Sequence, residues 1–208
     1  RPESDWPSHG HDAGAMRYSP LKQIHTGNVS TLQTVWTYDT PASVPLPAGP
    51  PEGMEPAEAA NAGGAAGQPS APVDPSRPRP RQSASTPLVI DGVMYLATMY
   101  NRIVALDADT GKEIWVKDIG QTPATRGLAY WPGTRDISPR LVFGTGDGSS
   151  LLISLDAKTG EFASGFGQGG KVDLRQGVGE KFPKLRVALS SPPAIYGNLA
   201  ITGNHSQE

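Results

Sequence analysis

Ala105-Leu106-Asp107-Ala108-Asp109-Thr110-Gly111-Lys112-Glu113-Ile114 returns as Ser154-Leu155-Asp156-Ala157-Lys158-Thr159-Gly160-Glu161-Phe162, about fifty residues further along the chain. In each copy an apolar run descends into a polar Asp-Ala-x-Thr-Gly turn and a second run climbs out of it. Working outward from the first copy, Leu88-Val89-Ile90 and Val93-Met94-Tyr95-Leu96 flank Asp91-Gly92, a pair suited to the positive φ values of a two-residue hairpin turn. Arg102-Ile103-Val104-Ala105-Leu106 follows, and Glu113-Ile114-Trp115 resumes after the turn. One unit therefore reads strand, strand, strand, turn, strand. A second echo is wider: Thr86-Pro87-Leu88-Val89-Ile90-Asp91-Gly92 recurs as Ser191-Pro192-Pro193-Ala194-Ile195-Tyr196-Gly197, about two periods on. Several short strands per repeat, without helical periodicity, predict an all-β fold of four-stranded propeller blades.

The chain divides into three stretches. Residues 1–39 form a lead-in with the first propeller strands, residues 40–82 a Pro/Ala/Gly-rich insertion, and residues 83–208 about three blades. About half of the 21 prolines lie between Pro41 and Pro80, in a stretch without aromatic residues that is too poor in apolar side chains to offset its ordering entropy. A propeller closes its ring with four or more blades, so the sequence is expected to be part of a longer chain, with a bare strand edge near Ala200-Ile201-Thr202. Its start at Arg1 reads as a cut, and the piece by itself is expected to be inactive.

Composition narrows the partners. A formal net charge of −2, with no run of lysines or arginines, gives no basic footprint for nucleic acid. The absence of cysteine removes thiolate metal sites, disulfides and cysteine nucleophiles. No apolar stretch reaches the length of a membrane span.

With these residues in view, the chain resembles the eight-bladed pyrroloquinoline-quinone (PQQ) dependent dehydrogenases of glucose and alcohols. The resemblance is carried by Trp6-Pro7-Ser8-His9-Gly10, Arg17-Tyr18-Ser19-Pro20-Leu21, Ile24, Asn28-Val29, Leu32 and Trp36, then by Thr86 to Tyr95, Asp107 to Trp115, and Arg126-Gly127-Leu128-Ala129-Tyr130-Trp131. It leaves only the low-complexity stretch outside. It implies that Arg126 meets a carboxylate or carbonyl of PQQ, which suits a planar guanidinium facing a tricarboxylate. In Gly144-Thr145-Gly146-Asp147-Gly148 it implies a hydrogen bond from Thr145 to the cofactor, beside a tight turn at Asp147-Gly148. In Thr202 to Glu208 it implies a loop along the quinone, with Asn204, His205 and Ser206 as cofactor contacts and Glu208 as an oxygen ligand to Ca2+.

Two departures bear on the carry-over. Ala84 stands where such dehydrogenases commonly carry an acidic residue, and Thr122-Pro123-Ala124-Thr125 stands where the alcohol-oxidising members carry adjacent cysteines, which favours a sugar substrate. His9-Gly10-His11-Asp12 and Gly165-Phe166-Gly167-Gln168-Gly169-Gly170 are read as structural, the latter as a loop between blades, and the tryptophans as blade packing, with Trp36 and Trp115 ending β-runs.

The function implied by the resemblance is oxidation of the hydroxyl of a glucose-like aldose or an alcohol in the periplasm, with PQQ and Ca2+ as cofactors and a quinone or cytochrome as electron acceptor. It further implies a catalytic aspartate base supplied by later blades, so no catalytic residue is assigned here, and membrane association through other segments of the full-length protein. The alternative is a non-catalytic propeller that binds proteins, sharing the blade repeat without a cofactor.

Overall fold

The computed structural model describes residues 5–12, 14–40, 84–177 and 188–203. Among these described residues, ten strands are arranged as two four-stranded antiparallel sheets and a hairpin. The first sheet is β1 (Leu88–Ile90), β2 (Val93–Ala97), β3 (Arg102–Asp107) and β4 (Glu113–Asp118), hydrogen-bonded in that order. The second is β5 (Ala129–Trp131), β6 (Arg140–Gly144), β7 (Leu151–Asp156) and β8 (Lys171–Asp173), again in chain order. β9 (Ala194–Tyr196) and β10 (Leu199–Ile201) form the hairpin. Each four-stranded sheet is an up-and-down blade of the expected kind. The low-complexity stretch lies, Thr40 apart, outside the described residues through position 82.

Local chemistry accounts for the turns. Asp91 and Gly92 both have positive φ, 49° and 78°, as a two-residue turn matched to the strand twist requires. In the recurring turn the Asp107 carboxylate accepts from the Thr110 amide at 2.8 Å and from its hydroxyl at 2.7 Å, while Gly111 N–H returns to Asp107 O. The Thr110 hydroxyl, its amide and the nearby Lys112 hold the Asp107 carboxyl below its ordinary pKa. The Asp156 carboxylate caps the second copy by accepting from the amides of Lys158 and Thr159, and Gly160 N–H likewise returns to Asp156 O. The repeat in sequence is thus a repeat in geometry.

Each such turn receives a tryptophan from the preceding unit. Trp36 Nε1 donates to Ala108 O at 3.2 Å and Trp115 Nε1 to Ala157 O at 3.1 Å, which places one indole across each Thr-Gly corner. A Cβ built on Gly111 would stand 2.6 Å from Trp36 Cε3, and one on Gly160 the same distance from Trp115 Cε3. Both glycines also have positive φ, 69° and 73°, so two independent requirements select glycine there. Trp115 lies within β4 rather than ending a run, because the strand must continue to Asp118 alongside β3.

The core lies between the sheets. Leu88, Ile90, Tyr95, Ala97, Ile103 and Ala105 of the first blade pack with Leu128, Leu141, Phe143, Ile153, Leu155 and Ala157 of the second and its entry. A single twisted sheet cannot bury its apolar face alone, so stability comes from blade-to-blade contact. Tyr95 fills the seam, with ring centroids 6.1 Å from Trp115 and 6.5 Å from Tyr130. The Gly165–Gly170 run, expected between blades, instead joins β7 to β8 inside one sheet. Phe166 N–H donates to Ala163 O and Gly170 N–H to Phe166 O, folding the run back onto its own blade.

Two predictions follow from this seam. Trp115→Ala should lower unfolding free energy by about 3 kcal/mol in urea titrations, through lost apolar burial and a lost hydrogen bond. Gly160→Ala should also destabilise, and its effect should shrink in the Trp115→Ala background, since the clash partner is then gone. The phenols of Tyr38 and Tyr95 are both pushed up to about 12, each mainly by burial, with the Glu113 hydrogen bond adding at Tyr38 and the neighbouring Tyr130 at Tyr95. The folded state therefore holds these protons more tightly than the unfolded chain, whose phenols titrate at the ordinary 10.0. That stabilisation is complete below the ordinary value and is lost as pH rises through the folded one. Urea midpoints should fall across this window, and less steeply in Tyr95→Phe.

Candidate functional site: one rim of the blades

Antiparallel order sorts the loops. Because successive strands reverse direction, the β2–β3 and β6–β7 loops share a rim with the linkers that enter β1, β5 and β9, while the hairpin turn at Asp91-Gly92 and the Asp-Ala-x-Thr-Gly turns occupy the opposite rim. Arg126 and Thr145, quoted above as cofactor contacts, fall on the first rim from separate parts of the sequence.

Three entry segments meet there. Thr86 and Gly127 form a parallel bridge between the first and second entries. Arg126 N–H donates to Ser190 O at 3.1 Å, and Arg126 Nη1 donates to Ser191 Oγ at 3.0 Å, joining the second entry to the third. Gly127 has φ 102°, and a Cβ there would stand 3.1 Å from both Ser85 Oγ and Thr86 O, so the entries approach at backbone distance. The Arg126 guanidinium is exposed. Among the described residues the ion pairs are Lys117–Glu161 and Arg175–Asp173, so no carboxylate neutralises it.

The β6–β7 loop is fastened to the same linker. Ala124 N–H donates to Gly144 O at 2.8 Å, Gly146 N–H to Thr122 O at 2.9 Å, and Leu189 N–H to Thr145 O at 2.9 Å. Thr145 is fully buried. Its hydroxyl donates to Leu151 O at 3.3 Å and accepts from Ser149 Oγ at 2.8 Å and Leu151 N–H at 3.1 Å, so both sides of it are used within its own loop. Asp147 is the clasp: Oδ2 accepts from Thr122 N–H at 2.9 Å and Oδ1 from Ser149 N–H at 3.0 Å. The Thr122 hydroxyl donates in turn to Asn101 Oδ1 at 3.0 Å, reaching the β2–β3 loop of the first blade. Asn204, His205, Ser206 and Glu208 lie outside the described residues.

The donor set suits an anion rich in oxygen. The Arg126 guanidinium, without an ion pair among the described residues, stands beside the Ser191 hydroxyl, and Thr86 lies across the bridge from Gly127. That chemistry fits the carboxylates of PQQ, with Arg126 as the residue to hold one. Sequence reasoning singled out Arg126 but not Thr86, Ser191 or Asp147. The repeated Thr86-Pro87 and Ser191-Pro192 pairs were the signal for the first two, since they mark equivalent blade entries; Asp147 was read only as a turn residue.

Repeated four-stranded antiparallel sheets locked through tryptophans and sharing a rim define blades of a β-propeller. The chain belongs to the family of the PQQ glucose/ethanol/alcohol dehydrogenase β-propeller domain, which residues 6–208 match. The glycerol dehydrogenase large subunit of Gluconobacter oxydans (strain 621H) is 30% identical over 97% of this chain and 24% of its own length. The quinate/shikimate dehydrogenase (quinone) of Acinetobacter baylyi (strain ATCC 33305 / BD413 / ADP1) is 28% identical over 96% of this chain and 24% of its own. The quinohemoprotein alcohol dehydrogenase of Pseudomonas putida HK5 superposes with a TM-score of 0.64 at 26% identity, covering 98% of this chain and 23% of that one. The chain thus spans about a quarter of the length of these relatives.

Removal of the clasp has a local signature. Asp147→Ala deletes two charge-assisted hydrogen bonds, each of about 1.5–3 kcal/mol. Exchange of the Thr122 and Ser149 amides with deuterium should accelerate at least about tenfold, while amides of β1–β3 keep their protection.

Proposed function

We propose that this chain contributes part of the PQQ site of a quinoprotein dehydrogenase that oxidises a CH–OH group of a polyhydroxylated substrate, an aldose or related polyol. The observation that carries the reading is the rim where Arg126, which forms no ion pair among the described residues, is held by Ser190 and Ser191. Bound PQQ supplies the two-electron acceptor for such an oxidation. Arg126 binds one of its carboxylates and sets its orientation. Thr145 and Asp147 tie the β6–β7 loop to the linker that carries Arg126, so the guanidinium is presented from a braced segment. Asn204, His205 and Ser206 extend the contact along the cofactor, and Glu208 provides a carboxylate to Ca2+, a hard cation that prefers oxygen ligands.

The substrate class rests on two supports: relatives named for glycerol and for quinate/shikimate, and Thr122-Pro123-Ala124-Thr125 in place of adjacent cysteines. Electrons pass onward to a quinone or cytochrome, and the working location is the periplasm.

The test is a titration with PQQ, followed by cofactor absorbance and by tryptophan fluorescence, with and without Ca2+. Saturable binding that Ca2+ tightens and that Arg126→Gln weakens about tenfold is expected. A featureless titration at every Ca2+ concentration would favour the non-catalytic scaffold and remove the cofactor reading.

A further inference from the structure

The lead-in, which sequence reading treated as structural, reaches the rim. Trp6 pairs with Val89 on the free side of β1: Trp6 N–H donates to Val89 O at 2.7 Å and Val89 N–H to Trp6 O at 3.0 Å. Running antiparallel to β1, the segment carries Asp5 to the hairpin turn, where its Oδ1 accepts from Asp91 N–H, and His9 to the entry, where His9 Nδ1 lies 2.9 Å from Thr86 Oγ1. A tight loop then folds Arg17 back. Arg17 N–H donates to Gly10 O at 3.0 Å, Met16 N–H to Asp12 Oδ1 at 3.1 Å, and Arg17 Nη2 comes to 3.4 Å from His9 Nε2. Arg17 itself has φ 53°, an uncommon backbone conformation for a long side chain.

The chemistry of these groups fixes the direction of the chain. A guanidinium only donates, so His9 Nε2 is the acceptor of the Arg17 contact. A ring that accepts at Nε2 is neutral and carries its proton on Nδ1, which therefore donates to Thr86 Oγ1. Thr86 Oγ1 accepts from the ring, and its own proton remains to be given. Among the described residues no acceptor for it is found. The Ser8 hydroxyl, one residue from His9, and Trp6 Nε1 are likewise buried without a hydrogen-bond partner among the described residues, so this segment holds donor capacity that the protein does not consume.

We propose that Thr86 is a ligand-binding hydroxyl donor of this rim, polarised through His9 by Arg17, and that it takes a carboxylate oxygen of the bound cofactor. The proposal rests on the PQQ reading above. Thr86 is bridged to Gly127, the neighbour of Arg126, so the two donors come from adjacent blade entries and address one polycarboxylate together. Arg17 and His9 are positioning residues. A guanidinium behind the imidazole strengthens donation down the chain.

The test compares PQQ with its trimethyl ester, in which no carboxylate is anionic. Thr86→Val should weaken PQQ binding about tenfold and leave binding of the ester unchanged, whereas Thr86→Ser should bind PQQ as the parent does. Arg17→Ala, an exposed change remote from the blade core, should weaken PQQ binding about threefold and serves if Thr86→Val fails to fold by circular dichroism. Failure of the parent chain to bind PQQ would overturn the cofactor reading and this assignment with it. Parent binding that neither Thr86→Val nor Arg17→Ala alters, or equal losses for PQQ and the ester, would overturn the assignment alone.

Discussion

An indole laid across a glycine is the contact on which the structure depends. Trp36 and Trp115 each leave one unit and donate Nε1–H to a carbonyl in the turn of the next, where Gly111 or Gly160 leaves room for the ring face. Any side chain at those glycines would collide with the indole, and the positive φ of the turn would strain it as well. The contact thereby sets the spacing between blades. Once the spacing is set, the apolar faces of neighbouring sheets bury one another, with Tyr95, Phe143, Leu141 and Ile153 in the seam. Neither face is buried by its own sheet.

The rim depends on the same spacing. Blade entries can bridge only if neighbouring sheets stand at a constant separation, and the Thr86–Gly127 bridge with the Arg126–Ser190 hydrogen bond is the measure of it. Arg126 consequently sits where three segments meet, its partner Ser191 lying 65 residues further along the chain, while Asp147 and Asn101 brace the linker from two further loops. A rigid rim of cations and hydroxyls suits a flat anionic cofactor, because donors that are already placed lose little freedom on binding.

Some of this was legible in residues that act locally. Asp91-Gly92 announces its hairpin because two successive positive φ values select that pair. The Asp107 and Asp156 turns could be read because each carboxylate bonds to amides two or three residues onward, within the same short segment. Arg126 was singled out through its flanking motif, although the serines that hold it were not. Asp147 was seen only as a turn former, since its partner Thr122 lies 25 positions earlier and belongs to another element. The Gly165–Gly170 run was assigned to the space between blades because glycine content says that a chain bends and not where it returns.

What the sequence determined by itself was therefore the unit: four short strands, their order, their turns and the period at which they recur, all encoded in contacts within one blade. The tertiary structure alone decided which units touch and what they share. It placed Trp115 against Gly160, put Thr86 beside Gly127, enclosed the Thr145 hydroxyl in its own loop, and brought His9 and Arg17 to the entry of β1. The physical reason is range. Turn and strand preferences act over a few residues, whereas a rim assembled from several blades exists only after the sheets have packed.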